Sequence, residues 1–249
     1  MGLPGYEHIY GRQAVREVLR AGRRRVHRLL LAQGVRVKGG VEEILRLAER
    51  QAIPVQPVPR RELDRIHPGH QGVALEATPY PYVDLDAILR RPAQRGEMPL
   101  LLLLDCLQDP QNFGSLLRTA EATGVHGVII PQRHAVGVTP TVVNTSSGAV
   151  EHLLVTRVVN LARTMARLRE AGIWLAGLEN LPQAHDYTQV DLTVPLGVVV
   201  GSEGKGLRRL VRERCDLLLR LPMRGRINSL NAAVAGSIVL YEVLRQREG

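Results

Sequence analysis

Aromatic side chains are scarce: one Phe, one Trp and six Tyr make up 3% of the chain. Leu, Val, Ile and Ala must therefore fill any core. Cysteine occurs twice, at Cys106 and Cys215, each alone in an apolar, strand-like setting. That excludes a disulfide framework and a cysteine-rich metal site. The longest apolar run, Leu100–Leu104, is far too short to span a bilayer. No apolar N-terminal stretch follows a basic one, so no signal peptide is expected. A cytoplasmic protein without a membrane partner is the expectation. His67 and His70 form an HxxH, but no Cys, Asp or Glu ligand set accompanies them; they read as loop histidines, and no metal is expected. Acid is in the minority, with 24 Asp and Glu against 33 Lys and Arg, for a net charge of +9. Most of the cations are arginine. A surface so charged attracts a polyanion, with nucleic acid ahead of an anionic membrane.

What is present supports a folded α/β protein. Hydrophobic residues make up 45% of 249, enough for one large or two modest domains. In the first 78 residues helix and strand signals alternate. Ala14, Val15, Val18 and Leu19 recur at helical spacing, as do Ile44, Leu45 and Ala48. Val26–Leu31, Ile53–Val58 and Val73–Ala77 read as strands. A proline-bearing polar stretch over 79–97 reads as a linker, with a short helix at Leu85–Leu89 inside it. From 98 to 249 the pattern changes. Leu100–Leu104, Val128–Ile130, Ile173–Leu175, Val198–Val200 and Leu217–Leu221 are short, continuous apolar runs separated by helical segments. Strands buried on both faces of a parallel sheet read this way. A long helix from about Leu230 closes the chain, with Val234, Ile238, Tyr241 and Leu244 as its apolar side.

Ligands of open α/β sheets bind beyond the carboxyl ends of strands. Three polar clusters fall there. The first, Asp105–Ala120, centres on Asn112-Phe113-Gly114-Ser115-Leu116-Leu117-Arg118-Thr119. Asn112 is placed to cap a helix, and Arg118 to grip an anion; an ordinary capped helix with a solvated arginine explains the same residues. The second runs from Gly197 through Gly201-Ser202-Glu203-Gly204-Lys205-Gly206-Leu207. It matches neither GxxxxGK[ST] nor GxGxxG, which excludes a phosphate loop and a dinucleotide loop. Glu203 disfavours a polyphosphate there and tolerates a cationic ligand such as a sulfonium. The third is Leu221-Pro222-Met223-Arg224-Gly225-Arg226-Ile227-Asn228-Ser229-Leu230-Asn231. Ser229 is a natural N-cap. Asn231 is expected within the first helical turn, where a polar side chain has no structural need.

In this order the three clusters resemble the NxGxxxRTA, GSEGxGL and PMxGxxxSLN motifs of the SpoU (TrmH-type) RNA ribose 2′-O-methyltransferases of the SPOUT superfamily. Thr145–Ala149 is similar to a further loop of that family. The resemblance covers about 98–247. Ile9-Tyr10-Gly11 with Ala14-Val15, and His70-Gln71-Gly72-Val73-Ala74, look like the L30e-like substrate-binding domain of its ribosomal RNA members. The resemblance implies an L30e-like RNA-binding domain over 1–78 and a trefoil-knotted methyltransferase domain over 98–249. It implies S-adenosylmethionine as donor, touching backbone near Gly201, Leu221, Met223 and Leu230. It implies Asn112, Arg118, Glu203, Ser229 and Asn231 as the active site, and a homodimer joined through the C-terminal helix. The implied substrate is a guanosine ribose in 23S rRNA. Many relatives read SLNVSVA where this chain has Ser229-Leu230-Asn231-Ala232-Ala233-Val234-Ala235, so a second serine has become Ala233.

Guanidinium is effectively always protonated, so Arg118 is a poor base. It is better suited to holding the phosphate beside the target ribose while that phosphate, or a water on it, takes the proton. Asn112 and Asn231 would orient these groups, and Glu203 would position Arg118 or the RNA. Arg23, Arg24, Arg25, Arg60 and Arg61 are the expected phosphate contacts of the N-terminal domain. Three rivals stay open at this level: a tRNA 2′-O-methyltransferase, an rRNA adenosine methyltransferase conferring antibiotic resistance, and a non-catalytic RNA-binding protein.

Overall fold

The computed structural model describes residues 5–249. Its first elements are β1 (Glu7–Tyr10), α1 (Arg12–Ala21), β2 (Val26–Ala32), α2 (Gly40–Arg50), β3 (Val55–Val58), α3 (Arg60–Ile66) and β4 (Val73–Ala77). They continue with α4 (Leu85–Arg95), β5 (Leu100–Leu104), α5 (Pro110–Ala122), β6 (Gly127–Pro131), α6 (Pro140–Thr145), β7 (Val155–Val158), α7 (Leu161–Glu170) and β8 (Trp174–Leu178). The last are β9 (His185–Asp186), β10 (Leu196–Val200), α8 (Arg209–Arg212), β11 (Leu217–Arg220) and α9 (Ala232–Glu248). Contacts divide the chain into two units.

The first unit holds the chain up to Pro81 together with Val138–His152. Its four-stranded sheet runs β1-β4-β2-β3. Both neighbours of β4 are antiparallel to it, with Ile9 and Leu29 flanking Leu75, and β3 is parallel to β2. The helical spacing read from sequence is the buried face of α1: Ala14, Val15, Val18 and Leu19. Segment 138–152, which lies inside the 98–249 span, groups here through specific bonds. Asn144 Nδ2 donates to Tyr10 O at 3.1 Å, and a Cβ on Gly148 would lie 2.6 Å from Glu17 Cβ. Arg24 and Glu151, both with side chains at 0% exposure, pair at 2.7 Å. Burying both charges is tolerable only because each satisfies the other.

The second unit holds Tyr82–Gly137 and Leu153–Gly249. Its seven-stranded sheet, β7-β6-β5-β10-β8-β11-β9, is parallel at every pairing. Successive strand residues face opposite sides. Leu101, Leu103, Ile129, Leu175 and Val199 pack with α4, α7 and α8. The other side meets α5 and α9, where a Cβ on Gly236 would approach Leu116 Cδ1 to 2.9 Å and Val200 Cγ2 to 3.1 Å. A larger residue at 236 would lift α9 off the sheet. The helix expected over Leu85–Leu89 runs on to Arg95, and its Leu85 and Ile88 belong to this core. α9 differs from expectation in its orientation. Ala233, Gly236, Val239, Leu240 and Val243 face inward, while Val234 and Tyr241 stay 48% and 53% exposed.

Candidate active site

β10 lies between β5 and β8, so its carboxyl end opens at the middle of the sheet. There the chain turns sharply. Ser202 and Gly206 exchange backbone hydrogen bonds, Ser202 N to Gly206 O at 3.1 Å and Gly206 N to Ser202 O at 3.0 Å. Gly204 and Gly206 adopt φ of +74° and +63°, a region costly for other residues. Gly201 admits no side chain, since a Cβ would lie 2.3 Å from the Gly206 carbonyl carbon.

Two carboxylates pin the far end of this loop from either side of β10. Glu179, just past β8, accepts Leu207 N at 2.7 Å. Asp105, just past β5 and fully buried, accepts Arg208 N at 2.8 Å and Arg208 Nε at 2.7 Å. The Asp105 hydrogen bond raises the Arg208 pKa further, and burial opposes it.

Past β11 the chain from Leu221 to Asn231 is irregular and is tied back by Asn180 Nδ2 to Asn228 O at 2.7 Å. Between these two loops lies a cleft of about 320 Å³. Gly201, Leu221, Met223, Ser229 and Leu230 line it, together with Glu179. A second cavity, of about 520 Å³, shares Ser202, Lys205 and Gly206 with the cleft. Cys106, Gln108, Asp109, His134 and Glu203 line it as well. Above the loops α5 and α9 are joined side chain to side chain: Asn231 Nδ2 donates to Asn112 Oδ1 at 2.9 Å, and Thr119 and Ser237 hydroxyls lie 2.8 Å apart.

Residues 99–241 match the model of the SpoU rRNA methylase family, and 8–83 match a model described as RNA 2′-O ribose methyltransferase substrate binding. The chain belongs to the SpoU rRNA methylase family. A TrmH family tRNA/rRNA methyltransferase of Bacillus subtilis is 44% identical over 97% of this chain and 96% of its own length. The SpoU methyltransferase AviRb from Streptomyces viridochromogenes, solved with AdoMet, matches with a TM-score of 0.79 at 30% identity, over 98% of this chain and 91% of its own. A TrmH/SpoU tRNA modifying enzyme of A. aeolicus matches with a TM-score of 0.56 at 25% identity, over 65% of this chain and 85% of its own. The protein is thus an RNA methyltransferase with the family's parallel α/β sheet.

In this SpoU methylase the expected residues are brought together unequally. Gly201, Leu221, Met223, Leu230 and Ser229 share the cleft, and Asn112 meets Asn231. Glu203 is exposed at the loop tip and lines the second cavity; Arg118 is exposed on α5 and lines neither. The capping roles change hands. Asp109, not Asn112, caps α5 by accepting Gln111 N. Asn231, not Ser229, caps α9 by accepting Ala233 N and Val234 N, so its polar side chain does have a structural need. Arg24 does not serve as a phosphate contact, because its guanidinium is buried against Glu151, Glu7 and the Thr78 carbonyl. Arg23 donates to Tyr80 Oη and to the Pro81 and Glu151 carbonyls, while Arg25, Arg60 and Arg61 are exposed. His70 is buried between Asp64 and Gly72 N, and His67 stacks on Tyr10. No group of His, Cys, Asp or Glu suited to a metal occurs among the described residues. Burial pushes the Cys215 thiol up to about 12, as befits a core residue.

Sequence reasoning missed Glu179 and the anchoring role of Asp105. Each is an acid that directly ends a buried apolar run. A carboxylate at the carboxyl end of a central strand was the available signal.

Proposed function

We propose that the protein methylates a ribose 2′-hydroxyl of 23S rRNA, at a guanosine, using S-adenosylmethionine. The observation that carries this reading is the shared cleft: five residues picked from two sequence motifs line one cavity. The cavity suits such a donor. Leu221, Met223 and Leu230 supply apolar walls, Gly201 supplies approachable backbone, and Glu179 supplies a negative charge opposite a cation. Of the two basic lining residues, Arg220 is engaged with Asp186, which leaves exposed Lys205 as the remaining cation of the lining, a small positive charge for a polyphosphate. When bound, the donor supplies a methyl group activated on a sulfonium.

The chain's own residues then position the acceptor. Arg118 holds the phosphate beside the target ribose, and that phosphate or a water on it takes the hydroxyl proton, because a guanidinium does not. Asn112 orients the hydroxyl. Asn231 acts through Asn112, since its own carbonyl is occupied capping α9. Glu203 positions the RNA from the other side of the loop. Orientation of this kind supplies several kcal/mol of barrier reduction, up to roughly 7–11 in model reactions.

Ribosomal RNA is favoured over tRNA by two observations: residues 99–241 match the SpoU rRNA methylase family, and residues 8–83 match a substrate-binding model of RNA 2′-O ribose methyltransferases, the unit by which this chain resembles the ribosomal RNA members. In this reading residues 1–78 choose the RNA and 98–249 transfer the methyl group within a trefoil knot. No helix of the described residues is long and apolar enough to cross a membrane, and a ribosomal substrate places the enzyme in the cytoplasm. A homodimer is supported by the apolar stripe on α9, where exposed Val234 and Tyr241 each lie about one turn from Ile238. Tyr241→Arg should shift the mass in solution from dimer to monomer, measured by light scattering. Calorimetric titration with S-adenosylmethionine tests the cleft itself; a folded protein that takes up no donor would end this reading.

A further inference from the structure

The first unit has a cavity of its own, about 580 Å³, and of the arginines expected to contact phosphate only Arg60 lines it. Arg12, Arg36 and Arg60 line it, with Gly34, Val35, Gln71 and Gly72, and no acid is among them. What sets the three arginines apart is the concavity they share, since exposed Arg25, Arg46, Arg50, Arg61 and Arg65 also lie outside the ion pairs of the described residues while four other arginines are engaged. Arg16, Arg20, Arg24 and Arg28 each pair with a carboxylate. Among the described residues Arg12, Arg36 and Arg60 have no carboxylate within ion-pair distance.

The cluster is assembled by the His70-Gln71-Gly72 turn. Arg12 is fixed by Gln71 at both ends: its backbone N donates to Gln71 Oε1 and its Nε to Gln71 O, each at 3.0 Å. Its two terminal nitrogens remain for a ligand. Gln71 itself is held at φ +53° and Gly72 at +89°, braced by Gly72 N to His70 Nδ1 at 2.8 Å. Gly72 is needed for a second reason. A Cβ there would lie 2.6 Å from Val35 Cγ2, so only glycine lets the loop carrying Arg36 close onto the turn whose Gln71 holds Arg12. A preorganised fork beside two further cations in a concavity fits phosphodiester oxygens.

We propose that Arg12, Arg36 and Arg60 form a phosphate cradle for the backbone of the RNA substrate, assembled by Gln71 and Gly72. The proposal rests on the reading that the N-terminal domain binds ribosomal RNA, and it replaces Arg24 with Arg12 and Arg36 as contacts. Phosphate contacts set register and orientation, and leave sequence to be read elsewhere.

The test is filter binding of an unmodified 23S rRNA transcript between 50 and 200 mM KCl. Each lost phosphate contact lowers the slope of log K against log salt by about 0.9. Arg12→Ala, Arg36→Ala and Arg60→Ala should therefore each remove a factor of about 3.5 from the fourfold-salt response, and the triple variant about 40. Arg36→Lys should keep the slope. Arg46→Ala, an exposed arginine on α2 outside the cavity, should leave it unchanged. Calorimetric donor affinity should be unaltered in all of them. Unchanged slopes in the cavity variants, or an equal loss in Arg46→Ala, overturn the cradle, whether the cavity is idle or serves an acidic protein. Methyl transfer by the wild type is measured on the same transcript. Transfer with unaltered slopes overturns the cradle alone; neither transfer nor binding overturns the ribosomal-substrate reading and the cradle with it.

Discussion

Arg24→Ala should be among the most destabilising single changes in the first unit. Its guanidinium makes three hydrogen bonds to Glu151, at 3.1, 3.0 and 2.7 Å, and both side chains are at 0% exposure. Removing the arginine leaves Glu151 charged, buried and without its partner, which costs about 3–5 kcal/mol. Against a total stability of roughly 5–15 kcal/mol this is a large fraction. At about 2–4 °C per kcal/mol for a chain of this size, the midpoint should fall by roughly 6–20 °C. The pair is less costly to replace than to break, so Arg24→Met with Glu151→Leu should recover most of the loss. The assay is thermal and urea unfolding of the wild type and both variants. Folded Arg24→Ala protein should also retain the full salt slope of RNA binding. A loss under about 1 kcal/mol, or a reduced slope, would refute the assignment of Arg24 to structure.

Two further outcomes follow from the site and one from the end of α9. Gly201→Ala forces a Cβ to within 2.3 Å of Gly206 and should weaken donor binding at least about tenfold by calorimetry, through displacement of the loop. Asn231→Ala removes the α9 cap and should cost about 1 kcal/mol, whereas Asn231→Ser keeps a cap yet is too short to hold Asn112. A steady-state comparison should thus find near-normal stability and strongly reduced kcat in Asn231→Ser. Hydrogen bonds from Arg245 and Gln246 hold the Glu242 carboxyl down at about 2. A depressed carboxylate stabilises the fold above its ordinary value of 4.5, and that contribution is lost as pH falls through about 2. Acid unfolding of Glu242→Gln should accordingly be flatter than wild type across this window.

How much the residues revealed depended on whether a signal was local. Leu100–Leu104 and Val198–Val200 read as strands because each is buried on both sides, which leaves an unbroken apolar run. The cleft residues were legible for the same reason: loops after such strands are where ligands bind. α9 was misjudged because it is apolar on nearly all sides. Periodicity could not choose between the Val234–Tyr241 stripe and the Gly236–Val243 face, and only close approach to Leu116 selects the latter. The α9 cap fell to Asn231 rather than Ser229 through a bond to Asn112, 119 positions away. Gly148 against Glu17 and Glu151 against Arg24 are equally remote pairings, so nothing local marks 138–152 as part of the first unit. Arginine gave no hint of its own fate, since buried Arg24 and exposed Arg25 are adjacent and chemically identical.

The most direct measurement is the mapping of methyl groups by mass spectrometry on 23S rRNA and tRNA transcripts after incubation with labelled S-adenosylmethionine. The expected product is a single 2′-O-methylated ribose, at a guanosine of 23S rRNA, formed by the wild type and lost in Asn112→Ala with donor affinity intact. Label confined to tRNA, or carried on a base instead of a ribose, would contradict it.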